Sequence, residues 1–429
     1  MVLTTMHAIP RFRAFTVAAI FTLSLFYLLA ADSYLGPSQS AVLLDKALEL
    51  APEERKSATT PTASNSAKQS SEPTLNPPRI LLVSAMFPLV KSKHSKAEYA
   101  EWLSYFLNNI TTDVYFYTTP DMEPTVRWVA SANLNITVNT SYASPFDILP
   151  LRGLGETYNE MHEWDREKHR HVPELYAIWN AKPFFLDEAV RTLASQGQHY
   201  DYAFWNDAGS FRVEHRYSAW PSDRRIQEVW DEGSRKTGKK EEDLLFFPIF
   251  GLPSVRTKSW VEDDGPVDEE FSEGSFFGGR PHTIHWWRRI YYEYHNHYLS
   301  RGIFVGKDQT LINALFLLFP DRIFTVWMSD PDAQAHKGLV PHFDESYLGA
   351  CGPVWYYYQF WLADRETRRE MRLLWLDRSS WAAWGWWKSR QPCRLTQALG
   401  MREVLVKRFG KGWQPPARSV LIPAESSPS

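Results

Sequence analysis

The stretch from Arg79 to Thr118 narrows the possible folds most. Arg79-Ile-Leu-Leu-Val-Ser-Ala-Met-Phe87 is an apolar run between prolines and reads as a buried strand. Tyr99, Trp102, Leu103, Phe106 and Leu107 then recur at i, i+3, i+4, i+7 and i+8, the spacing of an amphipathic helix. Asp113-Val-Tyr-Phe-Tyr-Thr118 is a second strand. Strand, helix, strand is a βαβ unit, so the two strands are expected to be parallel in an α/β sheet.

Further elements extend this pattern. A third strand fits Leu134–Val138, and a helix with a kink or restart at Pro183 fits Glu174–Ala194. The strand Tyr200–Trp205 ends abruptly in Asn206-Asp207-Ala208-Gly209. In open α/β sheets ligands sit outside the carboxyl ends of strands, which puts Asp207 where a site is expected. Phe246–Leu252 and Ser275–Gly279 bracket an acidic loop. Pro281–Leu299 and Thr310–Phe319 read as helices, and Ile323–Trp327 as a strand. No repeat is present, and the Trp-dense C-terminal part shows no clear period. The chain has 429 residues, 44% of them hydrophobic, enough for a large core and too many for a disordered chain.

The charge balance of 47 Lys+Arg against 50 Asp+Glu gives no electrostatic reason to expect nucleic acid as a partner. The 19 Trp, 20 Tyr and 25 Phe suit either sugar stacking or an aromatic-heavy core. Two cysteines exclude a disulfide-dense scaffold and a four-cysteine zinc site. Cys351 and Cys393 can pair in an oxidising compartment, closing a loop worth about 4 kcal/mol on the chain-entropy model.

The N-terminus suggests such a compartment. Residues 14–31 carry no charge and follow Arg11 and Arg13. As a helix they cover about 27 Å, near the lower limit for a bilayer. The reading is a signal anchor at 14–31 behind a cytosolic tail at 1–13. A cleaved signal peptide is the competing reading, with Ala30-Ala31-Asp32 as its cleavage site. Residues 32–78 are expected to be a largely disordered stem, rich in Ser, Thr, Pro and Asn from 57 onward. A folded lumenal domain is expected over 79–415 and a disordered tail over 416–429. Sequons at Asn109, Asn135 and Asn139 agree with a lumenal address.

Several motifs fail on their chemistry. Gly233-Ser-Arg-Lys-Thr-Gly-Lys-Lys240 mimics a P-loop, but it lacks the Ser/Thr after the lysine and no strand leads into it, so it reads as a solvated loop. His162, His169 and His171 lie in a charged stretch without metal spacing and read as surface. His282 and His285 sit three apart without HExxH around them. Other features keep two readings. Asp207 can hold a divalent cation that neutralises a diphosphate, or cap a βα turn. Glu273-Gly-Ser-Phe-Phe-Gly278-Gly279 can floor a ligand or make a plain turn. Asp308 can face a polar substrate from a helix start or act as an N-cap. His336 can close a metal site begun by Asp207 or stand alone.

Taken in order, the pieces from Arg79 to about Phe343 resemble the HtrL/YibB-like glycosyltransferase family and, beyond it, the GT-A class. They are Ile80–Phe87, Tyr99-Ala-Glu-Trp102, Tyr115-Phe-Tyr-Thr-Thr119, Tyr176-Ala-Ile-Trp-Asn-Ala-Lys182, Phe204-Trp-Asn-Asp-Ala-Gly209, Gly274–Gly279 and Asp308-Gln309-Thr-Leu-Ile-Asn313. The resemblance implies a GT-A-like, Rossmann-type mixed sheet flanked by helices. In that class an Asp-x-Asp segment holds a metal and the donor diphosphate; here Asp207 fits, but Gly209 replaces the second acid. The resemblance implies a divalent metal, Mn2+ being the expected ion, on Asp207 and His336. The donor-binding set it implies is Lys182, Asn206, Asp207, Gly278, Gly279 and Gln309, with Asp308 and Glu273 as the catalytic pair.

The expected protein is a single-pass type II membrane protein of the Golgi or endoplasmic reticulum. It moves a sugar from a nucleotide-sugar donor, a UDP-sugar above others, to a glycan or glycoconjugate. The alternatives are a carbohydrate-binding protein without catalysis and a degenerate transferase.

Overall fold

The computed structural model describes residues 77–89, 91, 94–336, 348–349, 351–378 and 392–422. The expected cytosolic tail, the anchor at 14–31 and nearly all of the stem lie outside the described residues. Among the described residues no helix is long and apolar enough to cross a membrane.

Eight strands form one mixed sheet. They are β1 (Ile80–Met86), β2 (Asp113–Thr118), β3 (Ile136–Asn139), β4 (Tyr202–Asn206), β5 (Leu245–Phe246), β6 (Phe276–Gly279), β7 (Ile323–Val326) and β8 (Ala398–Gly400), in the order β3-β2-β1-β4-β6-β5-β7-β8. β1 pairs parallel with β2 and β4, and β2 with β3, as the βαβ reading requires. β6 runs antiparallel to both β4 and β5. That reversal has a consequence for the site. Asn206, the last residue of β4, lies opposite Phe276, the first residue of β6. The chain leaving β4 and the chain entering β6 therefore meet at one edge of the sheet.

The helices are α1 (Lys96–Asn109), α2 (Glu123–Val129), α3 (Gly155–His162), α4 (Pro173–Ser195), α5 (Asp223–Thr237), α6 (Pro281–Ser300), α7 (Asp308–Leu318), α8 (Tyr357–Trp361), α9 (Arg365–Arg378) and α10 (Met401–Phe409). α1 starts at a capping box in which Ser95 and Glu98 satisfy each other's backbone amides. Alternation along β1 sends Leu81, Val83 and Ala85 to one face of the sheet, with Phe184, Ile284 and Leu311 of α4, α6 and α7. Ile80 and Leu82 go to the other face, with Phe106 of α1, Trp230 of α5 and Trp361 of α8. Most of the aromatic excess serves these two layers. Trp205, Trp220, Trp230, Trp287 and Trp361 are all fully buried.

Several expectations need correcting. The P-loop mimic is a loop only in its last part, because Gly233 to Thr237 lie within α5 and Gly238 caps its end. A Cβ at Gly233 would come within 2.8 Å of the Phe324 ring, so the glycine serves helix–sheet packing. Of Phe246–Leu252, which precedes the acidic loop, only Phe246 belongs to a strand, β5, and Ile249 makes isolated bridges. α4 continues through Pro183 without a restart. The tail expected from 416 onward instead docks in its described part. Arg418 lies 4.6 Å from the Phe319 ring centroid, and Ser419 N donates to Glu262 Oε2 at 2.6 Å. His171 is no surface residue but bonds buried Asp165 at 2.6 Å. Cys351 and Cys393 form a disulfide. Of the sequons, Asn135 is exposed, whereas Asn139 donates its amide to the Tyr115 hydroxyl at 2.9 Å.

Candidate active site

Four segments converge at the edge where β4 ends and β6 begins. β4 delivers Asp207, whose backbone N–H donates to Ser275 O at 2.9 Å and ties the two chains together. The approach to β6 carries Glu273 and Gly274. α7 opens with Asp308, and the middle of α4 supplies Lys182.

Lys182 organises the cluster. Its ammonium meets Asp308 Oδ2 at 2.9 Å and Asp207 Oδ1 at 3.2 Å, and donates to Gly274 O at 3.0 Å. Burial alone would push this lysine's pKa down, but the two carboxylates raise it above its ordinary value, so the ammonium stays charged. Its three N–H groups have three acceptors and its side chain is 5% exposed. In this arrangement Lys182 holds two carboxylates in place, and its three N–H groups are engaged within the protein.

The carboxylates differ in environment. Asp308 is buried, which raises its pKa against the opposing pull of Lys182, and its Oδ1 accepts from Gln309 N at 2.9 Å. Asp207 is the open member, with 35% of its side chain exposed, and the Trp205 indole N–H donates to its Oδ1 at 2.6 Å. Glu273 is buried and forms no ion pair among the described residues; desolvation drives its carboxyl up to about 7, although Ser275 N donates to its Oε1 at 3.1 Å. It lines a narrow pocket of about 20 Å³, room for about one water, together with Phe250, Trp355 and Tyr358.

The remaining expected residues divide. Asn206 is buried, donating to Asp207 O at 3.1 Å and accepting from Ser210 Oγ at 3.1 Å, so it locks the turn beneath Asp207. Gln309 donates to Ser272 O at 2.9 Å, which braces the approach to β6. Gly278 and Gly279 lie within β6, where strand neighbours need the space. A Cβ at Gly278 would come within 2.1 Å of Ala203 O, and one at Gly279 within 2.8 Å of Leu244 O. The structure thus accounts for both glycines by sheet packing and brings neither to the carboxylate cluster. His336 sits on a short turn, where burial lowers its pKa while the Met328 backbone and Asp330 oppose the shift. No hydrogen bond or ion pair among the described residues joins it to Asp207.

Beside Asp207 stand aromatic residues, of which the motifs revealed Tyr99 and Trp102, and an arginine that they did not. A Cβ at Gly209 would lie 3.2 Å from Trp102 Cε3, so the aromatic wall crowds the position where a second aspartate would stand. Arg212 Nε donates to Gly209 O at 3.1 Å. Its guanidinium lies 4.4 Å from the Trp102 ring centroid and 5.3 Å from that of Tyr356. Arg212 is exposed and has no carboxylate partner among the described residues. It lies close enough to Tyr99 and Tyr356 to act on both phenols, as does Asp207. The only sequence hint was its place five residues after Asp207. Tyr356 and Tyr358 come from the C-terminal part that showed no period.

The cluster also tests the expected metal. Asp207 is the one carboxylate with an open edge, and both its oxygens lie within 3.5 Å of Lys182 Nζ. Among the described residues no group of three His, Cys, Asp or Glu side chains is placed to hold a metal ion. These residues do not form a metal site by themselves.

No family model matches the chain and no curated protein matches it, so the family resemblance of its motifs gains no support from sequence. Several solved structures are similar. Mouse xyloside xylosyltransferase 1 in its apo form is 6% identical over 58% of this chain and 84% of its own, with a TM-score of 0.31. Core-mannan synthase A from Aspergillus fumigatus, in a Mn/GDP form, is 11% identical over 63% and 79%, with a TM-score of 0.34. A 4-diphosphocytidyl-2C-methyl-D-erythritol synthase from Anaerococcus prevotii is 10% identical over 58% and 87%, with a TM-score of 0.22. Likenesses of this degree do not decide the chemistry of this chain, which its own residues must supply.

Proposed function

We propose that the protein transfers a glycosyl group from a nucleotide-sugar donor to a hydroxyl of a glycan or glycoconjugate. The observation that carries this reading is the pairing, at one carboxyl-terminal sheet edge, of a buried acid that titrates near neutrality with an exposed, aromatic-flanked arginine. Glycosyl transfer needs both. Arg212 offers a planar fork to the negative diphosphate. Trp102, Tyr99 and Tyr356 offer flat faces to a sugar or base. Glu273, with a carboxyl titrating at about 7, suits proton removal near neutral pH. As the acceptor oxygen bonds to the anomeric carbon, the bond from that carbon to the diphosphate breaks. The acceptor proton passes to Glu273, through the single water its pocket admits. Asp308 and Lys182 keep Asp207 and Gly274 in register beneath the reacting groups.

UDP remains the expected donor nucleotide, and the secretory membrane the expected location. A divalent cation at Asp207 would draw most of its ligands from the diphosphate and water, so no step is assigned to it. Titrating UDP into the full chain, with Mn2+ and with chelator, tests the reading. UDP should bind, and Arg212→Ala should weaken it by about tenfold or more, the scale of a lost charge-assisted hydrogen bond. Mn2+ alone should not bind saturably below millimolar concentration. Absence of UDP binding in both conditions refutes the donor assignment, and tight Mn2+ binding without nucleotide refutes the account of Asp207.

A further inference from the structure

Tyr356 reaches Arg212, and Tyr358 shares a 3.1 Å hydroxyl contact with Ser275. Tyr357, between them, turns elsewhere: its hydroxyl donates to Arg394 O at 2.6 Å, and its ring lies among arginines. Arg225, in the first turn of α5, donates from Nε to Trp361 O at 3.1 Å and stacks over the Trp361 ring at 4.9 Å. Arg372 donates from Nε to Cys393 O at 2.7 Å, beside the disulfide, and lies 5.3 Å from the Phe360 ring centroid. Arg368 is one turn before Arg372 on α9 and so shares its face.

Arg368 is the anomaly. Its Nη1 is closed off from solvent and meets no hydrogen-bond acceptor among the described residues. Burial, then the neighbouring charges of Arg225 and Arg372, push its guanidinium down to about 10. Glu228 is the carboxylate that opposes this shift, and it already serves Arg225 at 3.2 Å and Arg224 at 3.4 Å. Arg368 thus has only a share of one carboxylate that two other arginines already use, and no ion pair joins Arg372 to a carboxylate among the described residues. Such an excess costs free energy unless an anion completes it.

We propose that Arg225, Arg368 and Arg372 form a second binding site, one for a phosphate or sulfate group. Guanidinium forks match tetrahedral oxyanions two oxygens at a time, which a single amine cannot do. The aromatic faces of Phe360 and Trp361 hold two of the forks, and the Cys351–Cys393 disulfide fixes the segment at Cys393 that Arg372 grips. The group arrives either as the free ion or as a substituent on a saccharide. The site involves neither Asp207 nor Arg212, so it stands whether or not the donor assignment holds.

Calorimetric titration of the full chain with inorganic phosphate, inorganic sulfate and a sulfated disaccharide tests the proposal. The wild type should bind at least one of them saturably. A disaccharide at least about tenfold tighter than free sulfate identifies a saccharide as the source, and equal affinities identify the free ion. Arg368→Met and Arg225→Met should each weaken binding by about tenfold or more while UDP affinity holds within about threefold. Should Arg368→Met not fold, Arg368→Lys keeps the charge, loses the fork, and should still weaken binding several-fold. The proposal is overturned if no probe binds the wild type. It is equally overturned if binding survives the Arg368 and Arg225 variants, or is lost instead with Arg212→Ala.

Discussion

Replacing Lys182 with methionine keeps most of the aliphatic stem and removes the charge that joins three segments. Asp308 loses a partner at 2.9 Å, Asp207 one at 3.2 Å, and Gly274 O a donor at 3.0 Å. The losses are unequal. Asp207 has an open edge and recovers hydration, whereas the Asp308 side chain is 6% exposed and cannot. Removing one partner of a buried ion pair costs about 3–5 kcal/mol, against a total stability of about 5–15 kcal/mol for a typical domain. The cost depends on pH. Burial already raises the Asp308 pKa, and the loss of Lys182 raises it further. A carboxyl whose pKa is higher in the folded than in the unfolded chain stabilises at pH below its unfolded value of about 3.9 and loses that stability as pH rises through its folded value. The gap between wild type and Lys182→Met should therefore widen from pH 4, close to the unfolded value, to pH 8. Urea unfolding at both pH values measures it. A loss below about 1 kcal/mol, or one of equal size at both pH values, would refute the description of Lys182 as the clamp between two acids.

Glu273→Gln should lower kcat/KM by about 10²–10⁴-fold and abolish the wild-type rise of kcat/KM through about pH 7; a variant that keeps the same pH profile refutes the base assignment. The same substitution should stabilise the fold near pH 8 by about 3 kcal/mol, because an acid raised to about 7 by burial destabilises the folded chain once ionised. Gly278→Ala drives a Cβ to 2.1 Å from Ala203 O, so it should cost about 1–3 kcal/mol or more in thermal unfolding while the folded fraction keeps its UDP affinity; unchanged stability with lost UDP binding would return Gly278 to the donor site.

The first half of the fold was legible because its signals are local. β1, α1 and β2 follow from period-2 and period-3.6 patterns within forty residues, and the abrupt end of β4 marked the sheet edge. α5 was hidden because its strongly polar composition and Gly233 imitate a loop; only the Phe324 ring, supplied from β7, shows why that glycine is inside a helix. The cluster was half legible. Asp207, Glu273 and Asp308 were picked out singly, but their relation depends on Lys182 meeting partners 25 and 126 positions further along the chain, which no local pattern records. The departure at Gly209 is explained on the same terms. From the motif alone it looked like a damaged metal site. In the fold, the residue faces Trp102, and that ring also carries Arg212. The tryptophan that a Cβ at Gly209 would press against is thus the one that seats a cation beside Asp207, so that one aromatic ring bears both on the missing carboxylate and on the positive group of the proposed donor site.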